Sequence, residues 1–295
     1  MTQLDPAPAF SLVIPCYNEE DGIGGTLRDL AGQLDGLPAH EVVVVNDGST
    51  DATADRLAAL SAELPNVTVL KHDVNQGYGA ALKTGIRRAR SDRIVITDAD
   101  GTYPNERIGD LLDELDAHEM AVGARTVKDE VTYPVIRRIP KLFLVRYARW
   151  LARQPIPDLN SGLRAFRRSS AERYFHILPD GFSFTTTITV SLLCDRRPVA
   201  WVPIGYKPRI GRSKIKPVRD TLRFVQLITR TGMYFAPLRL TAIPLLVLLI
   251  LFLASLAYDV YNGDLGDKTV LLLMFLLNLS MLALLADLIV RRFRA

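Results

Sequence analysis

The sequence predicts an α/β domain followed by two helices that cross a membrane, and two observations support this prediction. Short runs rich in Val and Ile alternate with helical segments over the first part of the chain. Of the 295 residues, 48% are hydrophobic, and the excess is concentrated in two long apolar stretches near the C-terminus. A chain of this length can bury one good-sized core and still carry an appendage.

The first part of the chain contains four strand-like runs. They are FSLVIP (10–15), EVVVVND (41–47), VTVLKH (67–72) and RIVITDAD (93–100). Helical segments are expected between them, at residues 22–34, 52–64 and 79–89. Nearly continuous Val and Ile runs are typical of parallel strands covered on both faces, so we expect a parallel sheet.

Polar residues cluster where three of these strands end, at 17–20 (YNEE), 46–49 (NDGS) and 98–100 (DAD). Ligands of parallel sheets bind beyond the carboxyl ends of the strands, so the three clusters predict one pocket. A strand that ends in Asp-X-Asp presents both carboxylates on one side. Asp98 and Asp100 are therefore candidate ligands of Mg²⁺ or Mn²⁺, which in turn binds a diphosphate.

Residues 137–153 and 215–234 are expected to form amphipathic helices at a membrane surface. In the first, the apolar side holds Ile139, Phe143, Leu144, Tyr147, Trp150 and Leu151. The opposite side is basic, although Leu142 and Val145 interrupt it. The alternative for this helix is an ordinary core-facing helix with a solvated basic side. For the second helix the membrane-surface position is favoured.

The two apolar stretches run from about residue 240 to 258 and from about 270 to 290, and about 20 apolar residues suffice to span a bilayer. The alternative is a pair of buried core helices. Arginines flank the outer ends: Arg230 and Arg239 before the first stretch, and Arg291, Arg292 and Arg294 after the second. The positive-inside rule then predicts a multi-pass protein of the cell membrane, with the α/β domain and both termini cytoplasmic. The expected domains are 1–212 (catalytic), 213–236 (interfacial) and 237–295 (membrane hairpin).

Composition excludes several other classes of protein. The net charge is only +4, and the chain has no basic blocks interleaved with aromatic residues, which argues against a nucleic-acid partner. The two cysteines, Cys16 and Cys194, have neither the spacing of a metal site nor that of a disulfide framework, so a reduced cytosolic domain is expected. Residues 1–10 do not resemble a cleavable signal peptide.

Four motifs, SLVIPCYNEE, VVVVNDGSTD, NQGYGAALKTG and DADGTYP, resemble in order and spacing the inverting family 2 nucleotide-sugar glycosyltransferases. The similarity is greatest to the polyprenyl-phosphate branch, typified by dolichol-phosphate mannose synthase and the undecaprenyl-phosphate glucosyltransferases, and covers about residues 10–215. It implies a GT-A (Rossmann-like) domain that transfers a sugar from a nucleotide-sugar to a polyprenyl phosphate. It also implies a membrane hairpin and a homo-oligomer, a tetramer in relatives.

The resemblance also assigns roles to individual residues. The nucleotide-sugar would be bound by Pro15, Tyr17, Glu19, Asp47, Asn75, Gly77, Lys83, Asp98, Ala99 and Arg125. Asp98 and Asp100 would hold the metal and the diphosphate, with Asp100 the direct ligand. Some relatives supply a further ligand, a Gln two residues beyond, where this chain has Thr102.

The segment DLNSGLR (158–164) resembles the acceptor motif of the branch. Asp158 would occupy the catalytic-base position, and Arg164 would contact a phosphate, the alternative being a surface arginine. The acceptor phosphate would lie against Ser161, Arg209, Ser213 and Lys214. Because a lipid phosphate is already anionic near neutral pH, we expect Asp158 to orient groups and balance charge more than to remove a proton.

Three alternatives remain beside a UDP-sugar transferase. GDP-mannose is disfavoured as donor because residues 181–187 lack the acidic residue that is usual in mannose synthases. A processive polysaccharide synthase would carry Gln-x-x-Arg-Trp; Arg149 and Trp150 are present, but Arg146 stands in place of Gln. A nonenzymatic membrane scaffold is disfavoured by the intact acidic pocket.

Overall fold

The computed structural model describes residues 7–127, 135–181, 183–206 and 217–294. The strands are β1 (Phe10–Cys16), β2 (His40–Asn46), β3 (Val67–Lys71), β4 (Arg93–Ile96), β5 (Met120–Arg125), β6 (Arg164–Arg167) and β7 (Val199–Ile204). The helices are α1 (Ile23–Gln33), α2 (Thr53–Glu63), α3 (Tyr78–Arg88), α4 (Ile108–Glu114), α5 (Val135–Ala152), α6 (Arg168–Glu172), α7 (Phe184–Cys194), α8 (Pro217–Phe235), α9 (Pro237–Asn262) and α10 (Asp267–Arg294).

The described strands form one sheet in the order β3-β2-β1-β4-β6-β5-β7. β1 to β4 are parallel, which confirms the predicted arrangement of that half. β6 is antiparallel to both of its neighbours, β4 and β5, so the expectation of a parallel sheet is wrong there. Because β6 starts beside the end of β4, with Arg164 opposite Ile96, residues that precede β6 lie at the same edge as residues that follow β4.

The fourth strand is shorter than predicted. β4 ends at Ile96, so Asp98 and Asp100 lie in the following turn and not on a strand, and the alternation of strand side chains does not place them. The turn forms because Gly101 takes a positive φ of 68° and Thr97 Oγ1 donates to Asn105 Oδ1 at 2.8 Å. The two carboxylates therefore have different surroundings.

The core lies on both faces of the sheet, as the Val and Ile runs predict. Along β1, Leu12 and Ile14 face a cluster that includes side chains of α1, α2 and α4. Val13 faces the opposite cluster, which includes side chains of α3 and α7. The four consecutive valines 42–45 of β2 divide between the two clusters in the same alternating way.

α5 and α8 pack against α7 and form a third apolar cluster. The buried side of α5 comprises Leu144, Val145, Ala148, Leu151 and Ala152. The predicted apolar side is therefore rotated: Val145 was placed on the basic side but is buried, whereas Trp150 is 38% exposed. The cause is the partner helix, because Ile228 of α8 lies in the same cluster as the buried side chains of α5.

α9 and α10 are both long and apolar enough to cross a membrane. Their apolar side chains face outward, which contradicts the alternative of buried core helices. The helices pack against each other, and Ser255 Oγ lies 2.5 Å from Thr269 Oγ1 across the pair. A short turn joins them, in which Gly263 has a φ of 73° and Asp259 accepts from the Gly266 amide at 2.9 Å.

Arg209, Ser213 and Lys214, the expected phosphate-binding residues, lie outside the described residues, as does the expected domain boundary at 212/213. The domain limits and the interfacial position of α5 and α8 therefore stay predictions.

Candidate active site

The loops that follow β1 and β2 are bound to each other. The Asn18 amide donates to Ser49 Oγ at 3.0 Å, and the Thr50 amide donates to Asn18 Oδ1 at 2.9 Å. The Glu19 amide donates to Thr53 Oγ1 at 2.9 Å. Asn18 has a φ of 51°, a conformation that asparagine tolerates better than most residues. Tyr17 and Glu19 are consequently held, half-buried, at the carboxyl end of the sheet.

The turn after β4 reaches the same edge. Thr26 Oγ1 donates to the carbonyl of Ala99 at 2.8 Å, which fixes the turn against α1. Ala99 is buried and makes this contact through its backbone. A side chain on Gly22 would lie 3.4 Å from the same carbonyl oxygen, so the α1 end of the β1 loop touches the turn. The structure thus brings together the three strand-end clusters.

Asp98 lies between a tyrosine and a glycine. Tyr78 donates its hydroxyl to Asp98 Oδ1 at 3.0 Å. Burial, and then the negative charge of Asp98, raise the pKa of Tyr78 well above its ordinary value of 10, so Tyr78 stays a donor. A Cβ at position 162 would lie 2.7 Å from Asp98 Oδ2. Only glycine fits between this carboxylate and the backbone of the acceptor motif.

Asp100 is linked to Tyr206 through Thr102. Thr102 is 1% exposed and donates its hydroxyl to Asp100 Oδ1 at 2.7 Å. The side chains of Thr102 and Tyr206 are hydrogen bonded, and burial raises the pKa of Tyr206. At the position where some relatives have a glutamine, this chain therefore has a residue that orients Asp100. The Tyr103 ring meets the Tyr206 ring edge-on, with centroids 5.3 Å apart.

Arg125 and Asp158 form a buried ion pair beside Tyr206. Arg125 Nε donates to Asp158 Oδ2 at 2.6 Å, and Nη2 donates to Oδ1 at 2.9 Å. Only 3% of the Asp158 side chain and 10% of the Arg125 side chain are exposed. The guanidinium lies over the Tyr206 ring, 5.2 Å from its centroid. Asp158 therefore fixes the orientation of the Arg125 guanidinium at the site.

Arg164 is not placed to contact a phosphate, and that prediction is wrong, as is the alternative of a surface arginine. Its side chain is fully buried, and burial lowers its pKa to about 10. The guanidinium nitrogens all have acceptors: Ser161 O, Leu159 O, Thr185 O and Thr189 Oγ1. Arg164 instead ties the acceptor motif to the first two turns of α7, and all of its donors are already used.

Two predicted nucleotide ligands support a loop. Asp47 is 2% exposed; its Oδ1 accepts from His72 Nδ1 at 2.6 Å and from the Gln76 amide at 2.9 Å, and its Oδ2 accepts from the Gly77 amide at 2.8 Å. Lys83 Nζ donates to Asp180 Oδ1 at 2.7 Å and to Leu178 O at 2.6 Å. Both therefore hold the glycine-rich segment rather than presenting their charge to a ligand.

The remaining residues predicted to bind the nucleotide-sugar or the acceptor differ in how far they are exposed. Gly77 has a φ of 107°, and a Cβ there would lie 2.5 Å from the carbonyl oxygen of Asp180, so glycine is required. Asn75 beside it is exposed. Pro15 is buried inside β1, opposite Val45 of β2. Ser161 is fully buried, and its hydroxyl has no hydrogen-bond partner among the described residues.

Three tyrosines were missed by the sequence prediction, Tyr78, Tyr103 and Tyr206. Tyr103 is 5% exposed, and its hydroxyl accepts from the Gly162 amide at 2.6 Å. The charges of Asp98 and Asp100 both act on Tyr206, and the Arg125 guanidinium lies over its ring. Tyr206 therefore lies among the charged groups of the site. The only available signal was position, since Tyr103 closely follows the acidic motif.

The site can hold a divalent metal ion when a bound substrate supplies some of the metal's ligands. Among the described residues no group of three His, Cys, Asp or Glu could hold a metal ion. Asp98 and Asp100 are hard oxygen donors of the type that Mg²⁺ and Mn²⁺ prefer, and Mg²⁺ is commonly held by one or two carboxylates plus substrate phosphates. The donor set therefore fits a metal that arrives with a diphosphate.

The sequence is similar to those of several known proteins. A family model described as Glycosyl transferase family 2 matches residues 11–175. A dolichyl-phosphate hexose transferase of Haloferax volcanii is 32% identical over 216 residues, which cover 70% of this chain and 87% of the relative. An undecaprenyl-phosphate mannosyltransferase of Micrococcus luteus is 30% identical over 211 residues, covering 69% and 86% respectively.

The fold also matches solved structures. Glucosyl-3-phosphoglycerate synthase from Mycobacterium tuberculosis, in complex with Mn²⁺, UDP-glucose and phosphoglyceric acid, gives a TM-score of 0.57 at 20% sequence identity. The match covers 76% of this chain and 80% of that chain. At this identity the likeness shows the fold alone, which is the expected GT-A arrangement. The chain belongs to glycosyl transferase family 2, in its polyprenyl-phosphate branch, and is a glycosyltransferase.

Proposed function

We propose that this protein transfers a sugar from a UDP-linked donor to a polyprenyl phosphate, with inversion at the anomeric carbon. One observation carries the proposal: Asp98, Asp100 and the Arg125–Asp158 pair converge around Tyr206. Carboxylates suit a metal-bound diphosphate and a fixed cation suits a second phosphate, so this edge fits two phosphate-bearing substrates. The names of the two relatives, a dolichyl-phosphate and an undecaprenyl-phosphate transferase, support the acceptor class.

The nucleotide is proposed to bind across the loops that follow β1 and β3. Tyr17, Glu19 and Asn75 present side chains there, and a carboxylate can accept from a base N–H or from ribose hydroxyls. Asp47 contributes by holding the amides of Gln76 and Gly77 in place. GDP-mannose is the alternative donor, supported by the mannosyltransferase name of one relative. The absence of an acidic residue at 181–187 favours UDP.

The metal would be Mg²⁺ or Mn²⁺, held by Asp98 and Asp100 together with the donor diphosphate. When bound, it supplies positive charge that stabilises the departing diphosphate. Thr102 keeps Asp100 oriented, and Tyr78 does the same for Asp98. The presence of Mn²⁺ in the M. tuberculosis complex supports this choice of cofactor.

The reaction is a single displacement. An oxygen of the lipid phosphate bonds to the anomeric carbon while the bond from that carbon to the diphosphate oxygen breaks, and both bonding electrons leave with UDP. No proton has to be removed, because the attacking phosphate is already an anion. Arg125 draws the two anionic groups together, and Asp158 acts as a positioning residue that fixes the guanidinium. Holding both substrates in line is the main contribution of the chain.

The acceptor reaches this site from the membrane. α9 and α10 are proposed to cross it as a hairpin, with the catalytic domain and both termini in the cytoplasm. Arg209, Ser213 and Lys214, in the segment that precedes α8, would contact the lipid phosphate, and Ser161 would contribute from the acceptor motif. A homo-oligomer, tetrameric as in relatives, is proposed to pack through the exposed sides of the hairpin.

The test uses the full chain in nanodiscs with polyprenyl phosphate and a panel of UDP- and GDP-sugars. One UDP-sugar should give a lipid-linked monosaccharide, and an α-linked donor should give a β-linked product by NMR. Asp100→Ala should reduce the rate by about 100-fold, as removal of a group that stabilises transition-state charge does elsewhere. Asp35→Ala, which removes an exposed carboxylate, is the matched control. Unchanged product formation by Asp100→Ala would refute the proposed site.

A further inference from the structure

A cavity of about 310 Å³ lies where α5, α7, α8 and α9 meet. It is lined by Leu151, Cys194, Asp195, Arg196, Phe235, Ala236 and Arg239. α7 separates it from the active site: the helix begins beside the acceptor motif, where Thr185 O accepts from Arg164, and ends at Cys194. Eleven residues of helix span about 16 Å, so the cavity is a separate site.

The cavity is positively charged. Arg196 and Arg239 line it, and both Arg153 and Arg196 are near enough to act on Arg239 electrostatically. Within the described part of the chain, none of these three arginines forms an ion pair with a carboxylate. Asp195, the one carboxylate of the lining, accepts from the Tyr174 hydroxyl at 2.8 Å and lies 3.4 Å from Arg197 Nε. Its charge is therefore partly offset by a fourth arginine, Arg197, which also pairs with Glu119 at 2.9 Å.

Two of the arginines occupy backbone positions that suit them poorly. Arg153 has a φ of 55° and Arg196 a φ of 57°; the other described non-glycine residue with a positive φ is Asn18. Glycine or asparagine is the usual residue at such positions after a helix. A positive charge near a helix C-terminus is favourable, but residues of ordinary φ in the last turn satisfy that preference. Arg196 lines the cavity from such a position, and Arg153 lies close enough to Arg239 to act on it electrostatically.

We propose that this cavity binds the phosphate group of an anionic membrane lipid. Leu151 and Phe235 give it an apolar wall, and the guanidinium groups of Arg196 and Arg239 give it the charge that a phosphate requires. The first residues of α9 form its edge, and no side chain caps the start of that helix, so its positive end adds to the attraction. Basic pockets beside membrane helices are recognised sites for anionic head groups.

The site rests on the proposed membrane insertion of α9 and is independent of sugar transfer. It would hold the catalytic domain at a fixed height over the bilayer, because Arg196 belongs to that domain and Arg239 to the first turn of the membrane helix. A lipid phosphate and a soluble phosphate share the same chemistry, so the experiment has to separate them.

The test measures lipid binding to the purified full chain by native mass spectrometry. Three ligands are compared: phosphatidylglycerol, phosphatidylcholine with the same acyl chains, and soluble glycerol 3-phosphate as a competitor. The informative variant is Arg153→Gly combined with Arg196→Gly, because glycine is favoured at both positive φ values and the fold should be kept. Arg230→Gln removes an exposed charge from α8, outside the cavity, and is the control.

The wild-type protein should prefer phosphatidylglycerol over phosphatidylcholine, without competition from glycerol 3-phosphate. The double glycine variant should bind phosphatidylglycerol on the order of tenfold more weakly, since each arginine near a lipid surface contributes appreciably. Its melting temperature should be equal or higher, and Arg230→Gln should bind as the wild type does. Equal binding by the double variant, an equal loss in Arg230→Gln, or displacement by glycerol 3-phosphate would overturn the proposal. Sugar transfer in neutral lipid should be unchanged, which separates this result from the proposed function.

Discussion

Both oxygens of the Asp158 carboxylate accept hydrogen bonds from Arg125, at 2.6 and 2.9 Å, so the two side chains act as one unit. Asp158→Asn should therefore lower the rate of transfer as much as Arg125→Gln does, and the double variant should be no worse than either. Removing one partner of a buried pair should also lower the free energy of unfolding by about 3 kcal/mol. Rates and thermal unfolding of the three variants test this.

The same variants distinguish positioning from base catalysis. If Asp158 removed a proton, the wild-type rate would fall at low pH as Asp158 became protonated. Asp158→Asn would abolish that fall in rate, whereas Arg125→Gln would keep it. We expect instead that both variants retain the pH profile of the wild-type protein. Independent, additive losses in the double variant would contradict the coupling.

Gly162 limits the position of Asp98. Gly162→Ala would place a methyl group 2.7 Å from Asp98 Oδ2, so the carboxylate has to move. We expect a loss of about 100-fold in kcat, since misplacing a catalytic group by about 1 Å has an effect of that size. Gly25→Ala is the control, because a Cβ at that helical position meets nothing within 4 Å. Equal activity of the two variants would show that the contact is unimportant.

His72 links Asp47 to α3, through Nδ1 at 2.6 Å from Asp47 Oδ1 and Nε2 at 3.0 Å from Thr84 Oγ1. His72→Leu should loosen the loop that Asp47 holds and raise the KM for the nucleotide-sugar about fivefold, with a smaller change in kcat. Thr84→Val removes only the outer hydrogen bond and should have a weaker effect. An unchanged KM in both variants would mean that the loop is fixed by other contacts.

Glu41 should make the fold sensitive to acid. Burial alone would raise the pKa of Glu41, but hydrogen bonds from Arg90 and Ser11 outweigh it and hold the pKa below its ordinary value of 4.5. The stabilisation is therefore present above the unfolded pKa and is lost as the pH falls toward the folded one. As the pH falls below about 4.5, the melting temperature should therefore fall more in the wild type than in Glu41→Gln. Glu106→Gln, at an exposed position, should behave as the wild type.

The half of the fold that the sequence predicts well is the half built from β1 to β4. β1, β2 and β4 bury side chains on both faces, so each is an apolar run that stands out from its neighbours, whereas the edge strand β3 is mostly half-buried. β6 has only the residues RAFR, and two of the four are arginines, so no apolar run marks it. Its antiparallel direction depends on pairing with β4 and β5, which are distant in sequence.

For the candidate site, too, the sequence predicts some residues and not others. Local motifs indicated Asp98, Asp100 and Asp158, because each acidic residue lies within a short pattern beside a strand of the sheet. The burial of Arg164 was not predictable, since an arginine is usually exposed and its acceptors include Thr185 and Thr189 of a later helix. The buried side of α5 was likewise not predictable, because it depends on packing against α8 and not on the periodicity of α5 itself.

The reversed direction of β6 has an evolutionary consequence. The loops proposed to bind the donor lie within one stretch, residues 17–102, and each follows its strand, whereas residues 158–163 of the proposed acceptor motif precede a strand that runs the other way. The two proposed binding regions are therefore encoded by separate segments of the gene. A crossover between relatives within residues 104–119 would exchange the segment 158–163 and leave the loops that follow β1, β2 and β4 intact.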